Sequence, residues 1–154
     1  MSPTEPAALL LYVEDDTFLH EIMEANLIEA GFAVETVSSG GAAIAALEAA
    51  PVRFRGLVTD IDLGKGPSGW AVARRARELL PEIPVVYVSG NGSEWGSQGV
   101  PESLMLTKPC AFAQAAVAIS ALVNAGRPAH DPANRGHANA VGVLSALRTK
   151  SAST

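Results

Sequence analysis

Five times along the chain a short apolar run is cut off by polar residues and followed by a segment with helical spacing. Leu9-Leu10-Leu11-Tyr12-Val13 is the first run. It reads as a buried strand because it is short, apolar and stopped at once by Glu14-Asp15-Asp16. From Phe18 the period changes. Phe18, Ile22, Ala25, Leu27 and Ile28 follow helical spacing, Glu21, Glu24 and Glu29 fall on the other side, and Gly31 supplies the stop. Phe32 to Val37 is a second, weaker strand. Ser38 or Ser39 can cap the helix that carries Ile44 and Leu47 and is closed by Pro51.

The third strand, Gly56 to Thr59, ends at Asp60 and leads through a Gly/Pro loop to a helix from about Gly69 to Leu80. Val85 to Val88 is the fourth, ending at Ser89-Gly90-Asn91-Gly92. The region up to Gly99 is so rich in glycine that a helix there should be short or loosely held. Leu104-Met105-Leu106 is the fifth, ending at Thr107-Lys108-Pro109, and Ala111 to Asn124 forms the last helix. Strands alternating with helices imply right-handed crossovers and a parallel sheet covered on both faces. The expected fold is therefore a doubly wound α/β sheet of five strands with a weak fourth helix. Ligands of such sheets sit beyond the carboxyl ends of the strands.

The polar residues at those ends form a set: Glu14, Asp15 and Asp16, then Asp60 and Asp62, then Ser89, then Lys108. Carboxylates held close together repel and raise one another's pKa unless a cation neutralises them. A hard divalent ion such as Mg²⁺ suits oxygen donors of this kind. Asp60 can then act as a nucleophile toward phosphorus, giving an acyl phosphate, with Lys108 and Ser89 placed to meet the phosphoryl oxygens.

Composition narrows the class. At 154 residues and 48% hydrophobic content the chain is about one domain with a full core. A net charge of -5 with no Lys/Arg-rich block argues against a nucleic-acid surface. One cysteine, Cys110, excludes an internal disulfide. Neither Ala7 to Val13 nor Ala111 to Ala125 is long enough to cross a membrane, and the former lacks the basic flank of a signal peptide. A cytoplasmic, soluble protein is expected. Residues 7–125 form the expected domain. Residues 126–154, with "AGRPAHDPANRGHANA", read as a flexible tail in which a short helix near 140–148 could form.

"LLYVEDD", "LVTDIDL", "VVYVSG" and "LMLTKP" resemble, in order and spacing, the signature segments of the receiver domain of bacterial two-component response regulators. The resemblance covers about residues 7–125. It implies the flavodoxin-like strand order 2-1-3-4-5. It further implies that Asp60 is the phosphoacceptor and that Glu14, Asp15, Asp60 and the main-chain carbonyl of Asp62 hold Mg²⁺ or Mn²⁺. Ser89 matches the switch hydroxyl and Lys108 the family lysine, with Pro109 after it. Met105 stands where the family has a switch aromatic. The implied function is that of a stand-alone response regulator, phosphorylated by a sensor histidine kinase or a histidine phosphotransfer protein. It would act on an unidentified protein target or as a phosphate sink, as a monomer or a weak phosphorylation-dependent dimer, and not as a turnover enzyme.

Departures from the pattern concern signalling more than chemistry. Gly64 replaces the usual proline in the loop "LGKGPSG", Met105 removes a Tyr/Ser rotamer coupling, and Cys110 stands where phenylalanine commonly follows Lys-Pro. The Asp62 side chain either tunes the site or faces solvent. His20, His130 and His137 read as surface or tail residues, Arg74, Arg75 and Arg77 as a solvated helix face, Trp70 as packing, and Trp95 as either packing or a partner contact. The competing enzyme reading is a phosphatase of the haloacid dehalogenase type, with Asp60 as nucleophile and Asp62 as acid/base. That family places further acids after the lysine, whereas Asp131 is the sole acid after Lys108 here. A degenerate receiver that binds partners without phosphorylation ranks below both, since every required residue is present.

Overall fold

The computed structural model describes residues 6–108, 112–125 and 148–149. The elements are β1 (Leu9–Val13), α1 (Thr17–Glu29), β2 (Ala33–Val37), α2 (Gly40–Ala49), a 3₁₀ turn (Pro51–Arg53), β3 (Phe54–Thr59), α3 (Gly69–Leu79), β4 (Val85–Ser89), α4 (Trp95–Gln98), β5 (Leu104–Thr107), α5 (Phe112–Ala125) and β6 (Arg148–Thr149). The first five strands pair in parallel in the order β2-β1-β3-β4-β5, as expected. The two residues of β6, from the stretch read as a tail, pair antiparallel with Leu104 and Met105 at the β5 edge. The helix expected near 140–148, His130, His137, Pro109 and Cys110 lie outside the described residues, apart from Arg148 in β6.

Alternation along each strand divides the core in two, because successive side chains leave opposite faces of a pleated sheet. Leu10, Tyr12, Val58, Val86 and Leu106 face α1 and α5, where Met23, Leu27, Ala115 and Ile119 meet them. Leu11, Val13, Leu57, Val85, Tyr87 and Met105 face α2 and α3, against Ala43, Leu47, Trp70, Val72 and Ala73. Burial on both faces explains why the strands read as continuous apolar runs.

Short polar side chains and one glycine close the helix ends. Asp16 caps α1 by accepting from the Phe18 N–H at 3.0 Å, and Ser39 and Ser68 cap α2 and α3 in the same way. At the other end of α1, the Phe32 N–H reaches the Leu27 carbonyl and the Gly31 N–H reaches that of Ile28. That Schellman turn requires a left-handed residue, and Gly31 has φ +103°.

The rotation of α1 differs from expectation. Phe18, Ile22 and Ile28 are 78%, 39% and 57% exposed, while Met23 and Leu27 are buried. The helix carries two apolar stripes at helical spacing, Phe18/Ile22/Ala25 and Leu19/Met23/Leu27. The sheet receives only the second of them.

Of the two readings of Trp95, packing holds. It is 5% exposed and therefore packs inside, where a partner cannot reach it. Its indole N–H donates to Ser103 Oγ at 3.0 Å, Ser103 donates on to the Val100 carbonyl at 2.6 Å, and the Val100 N–H donates to the Tyr87 hydroxyl at 3.1 Å. α4 has four residues, and this buried chain anchors it where helical length cannot. Ser103→Ala should destabilise the protein by about 1–3 kcal/mol, since it strands the indole N–H without a partner. A urea titration should show a lower midpoint at unchanged slope.

The three arginines of α3 separate. Arg75 pairs with Glu48 and Glu78 on the surface, and Arg74 is exposed. Arg77 is not solvated as expected: its guanidinium donates to the carbonyls of Ile83 and Pro101, each at 2.7 Å. These residues precede β4 and β5 respectively. Among the described residues no helix is long and apolar enough to cross a membrane.

Candidate functional site

Parallel register brings the strand ends together. Val13, the last residue of β1, pairs with Val37 on one side and Thr59 on the other, and Ser89 pairs with Thr107. Glu14, Asp60 and Lys108 follow directly. The Asp60 N–H donates to the Val13 carbonyl at 2.9 Å, the Glu14 N–H to that of Val37 at 3.1 Å, and the Lys108 N–H to that of Ser89 at 2.7 Å.

The Lys108 ammonium sits between two carboxylates, 3.0 Å from Asp60 Oδ2 and 3.1 Å from Glu14 Oε1. Asp60 Oδ1 accepts from the N–H groups of Ile61 at 2.6 Å and Asp62 at 3.3 Å, and Glu14 Oε2 accepts from the Asp16 N–H at 3.1 Å. Both carboxylates are buried, while Asp15 is exposed. One oxygen from each of Glu14, Asp15 and Asp60 lies within 4.8 Å of the other two. Burial pushes the Glu14 carboxyl up to about 7, against the hydrogen bond from Asp16 and with the charge of Asp60 adding to the rise. Burial alone would lower the Lys108 ammonium, but its hydrogen bonds to Asp60 and Glu14 outweigh this and hold it above the ordinary lysine value. Three clustered carboxylates, two of them on one ammonium, leave an excess of negative charge with oxygen donors converging. That arrangement fits a hard divalent cation.

Beside Asp60 opens a cavity of about 350 Å³, lined among others by Asp62, Trp70, Ser89, Asn91 and Glu94. Ser89 is buried there, and the Trp70 ring packs on Tyr87 with centroids 4.7 Å apart. The Asp62 side chain is exposed, while its N–H serves Asp60. The loop after it turns through two left-handed glycines, Gly64 at φ +74° and Gly66 at φ +89°, and passes beside Asp15, whose Oδ2 would be 3.9 Å from a Cβ on Gly64. Lys65 is exposed. Met105 is buried and leans on the backbone of Gly92, where an added Cβ would lie 2.9 Å from Met105 Cγ.

His20 was missed. It is not a free surface residue, because its Nε2 is hydrogen-bonded to the main-chain carbonyl of Glu14 and its ring meets Tyr12 edge-on, at 6.1 Å and 74°. The available signal was its place in the first turns of the helix that follows the acidic pair.

No protein-family profile matches the chain. The crystal structure of a response regulator receiver protein from Sinorhizobium medicae WSM419 superposes with a TM-score of 0.74 and 45% identity, over 77% of this chain and 96% of that one. The chain belongs to the response regulator receiver family. The receiver fold and its acidic cluster are those of a phosphoacceptor. A receiver domain from Clostridium thermocellum shares the fold at 21% identity, with a TM-score of 0.67 over 77% of this chain and 95% of that one. So does the receiver domain of the sensor histidine kinase PA1611 from Pseudomonas aeruginosa PAO1, at 22% identity and a TM-score of 0.65 over 76% and 98%. That structure has a magnesium ion coordinated in its active site cleft. Among curated proteins, the C4-dicarboxylate transport transcriptional regulatory protein DctD of Rhizobium meliloti is 33% identical over 86 residues. The match takes in 56% of this receiver chain but only 18% of the length of DctD.

Proposed function

We propose that Asp60 accepts a phosphoryl group from a phosphohistidine on a sensor kinase or phosphotransfer protein, and that the acyl phosphate alters binding to a downstream protein. The observation that carries the reading is the Lys108 ammonium held between Asp60 and Glu14 at the strand ends. Glu14, Asp15, Asp60 and the Asp62 carbonyl would hold Mg²⁺ or Mn²⁺; a magnesium ion is coordinated in the active site cleft of the PA1611 receiver domain. When bound, the cation supplies positive charge for the phosphoryl oxygens.

The chain's own residues do the rest. An Asp60 carboxylate oxygen forms the new O–P bond as the P–N bond to the donor imidazole breaks, and the electron pair returns to the ring nitrogen. The two N–H groups on Asp60 Oδ1 orient the carboxylate so that Oδ2 is the attacking atom. Lys108 exchanges its contact with Oδ2 for a phosphoryl oxygen, and the Ser89 hydroxyl donates to another. The cavity beside Asp60 leaves room for the incoming group. Met105, packed on Gly92, links β5 to the loop after β4 and is the residue through which the response would reach that loop.

Incubation with acetyl phosphate and Mg²⁺ should add one phosphoryl group per chain, read by intact mass, and EDTA should abolish the addition. Steady release of phosphate from a monoester such as p-nitrophenyl phosphate would favour the dehalogenase-type phosphatase instead. Phosphotransfer profiling against purified histidine kinases would name the donor.

A further inference from the structure

We propose that His20 is a positioning residue of the metal site, acting through the peptide that joins Glu14 to Asp15; this rests on the reading of that site as a divalent-cation centre. Asp15 is the exposed member of the acidic triad, and its neighbours on either side are better tethered. Asp16 caps α1 with its side chain, and the Glu14 side chain is held by the Asp16 N–H and by Lys108. What orients Asp15 is therefore the main chain before it.

The Glu14 main chain is fixed at both ends. Its N–H donates to the Val37 carbonyl at 3.1 Å, and its own carbonyl accepts from His20 Nε2–H. That carbonyl oxygen belongs to the peptide plane that ends in the Asp15 N–H, so a donor on it sets the plane's rotation and with it the direction in which the Asp15 Cα projects its carboxylate. The donor is itself well supported. His20 stands one turn into α1, whose start is fixed by the Asp16 cap, and its ring lies edge-on to the buried Tyr12. Burial, reinforced by the Glu14 and Asp60 charges, drives the Tyr12 phenol above its usual range, so this wall stays neutral. The contact requires a hydrogen on Nε2. Groups that orient metal ligands without touching the metal typically contribute 10–100-fold in metal affinity.

Calorimetric titration of Mg²⁺ alone into wild type, His20→Ala, His20→Gln and Asp15→Asn tests the proposal. His20→Ala should weaken Mg²⁺ binding about tenfold, and His20→Gln, whose amide can donate to the same carbonyl, should recover most of the loss. Acetyl phosphate labelling should show the same split. The Mg²⁺ concentration for half-maximal rate should rise in His20→Ala, while the rate at saturating Mg²⁺ returns to that of wild type. In the wild type, long-range ¹⁵N–¹H correlation should report the Nε2–H tautomer. The proposal is overturned if folded His20→Ala binds Mg²⁺ as wild type does, or if His20→Gln loses as much as His20→Ala, which would mark a packing role. Asp15→Asn should lose most Mg²⁺ binding; if it binds as wild type does, the metal reading itself fails, and the role given to His20 with it.

Discussion

Asp60→Asn should take up no phosphoryl group from acetyl phosphate under conditions that label the wild type once per chain. The substitution keeps the shape of the side chain and an oxygen that can accept from Ile61 and Asp62, but it removes the negative oxygen that forms the bond to phosphorus. Glu14 is 2% exposed and already engaged with Lys108 and Asp16, and the Asp15 and Asp62 side chains are exposed. The fold should survive, because Lys108 retains its contact with Glu14 and the crowding of charge at the strand ends is reduced. The check is intact mass with and without hydroxylamine, which cleaves acyl phosphates, alongside circular dichroism. Equal labelling of wild type and variant would remove Asp60 from the mechanism.

Gly69→Ala should be the most destabilising small substitution near the site, at about 3 kcal/mol. At an ordinary helix position, alanine in place of glycine would stabilise. Here a Cβ would run into the Asp60 carbonyl oxygen and come within 2.8 Å of Ile61 Cα, both main-chain atoms. Neither can yield without moving the segment that carries the acceptor, which is also tied by the Gly69 N–H to the Ile61 carbonyl at 2.8 Å. Gly41 is the control. It lies in α2 with nothing within 4 Å of an added Cβ, so Gly41→Ala should stabilise by about 0.5–1 kcal/mol. Urea midpoints of the two variants should therefore move in opposite directions, and the Gly69 variant should also be labelled more slowly by acetyl phosphate.

Much of this architecture was legible in the sequence because its signals are local. A buried parallel strand shows itself as an apolar run, a cap as a single Ser or Asp, and a strand-end cluster as the polar residues where each run stops. The register that joins Glu14, Asp60 and Lys108 follows once the strand order is known. What escaped depends on partners far away in the chain. α1 carries two apolar stripes, and only the sheet decides which is buried. Trp95 in a glycine-rich stretch looks exposed until Ser103 supplies its indole with a partner. Arg77 reads like Arg74 and Arg75, yet it alone of the three finds two main-chain carbonyls. His20 has no metal-ligand spacing because what it binds is a peptide oxygen.

Arg77 has a mechanical meaning as well. One guanidinium links the carbonyls just before β4 and β5, at the edge of the sheet opposite the acidic cluster. Ser89 and Lys108 stand at the other ends of the same two strands, joined to each other by the Lys108 N–H on the Ser89 carbonyl. The two strands thus form a pair of levers hinged together at the base and tied at the tip. A pull on either tip by a phosphoryl group would be resisted at the base, so the displacement would emerge in the loop beyond the β4 tip, where Asn91 and Gly92 lie.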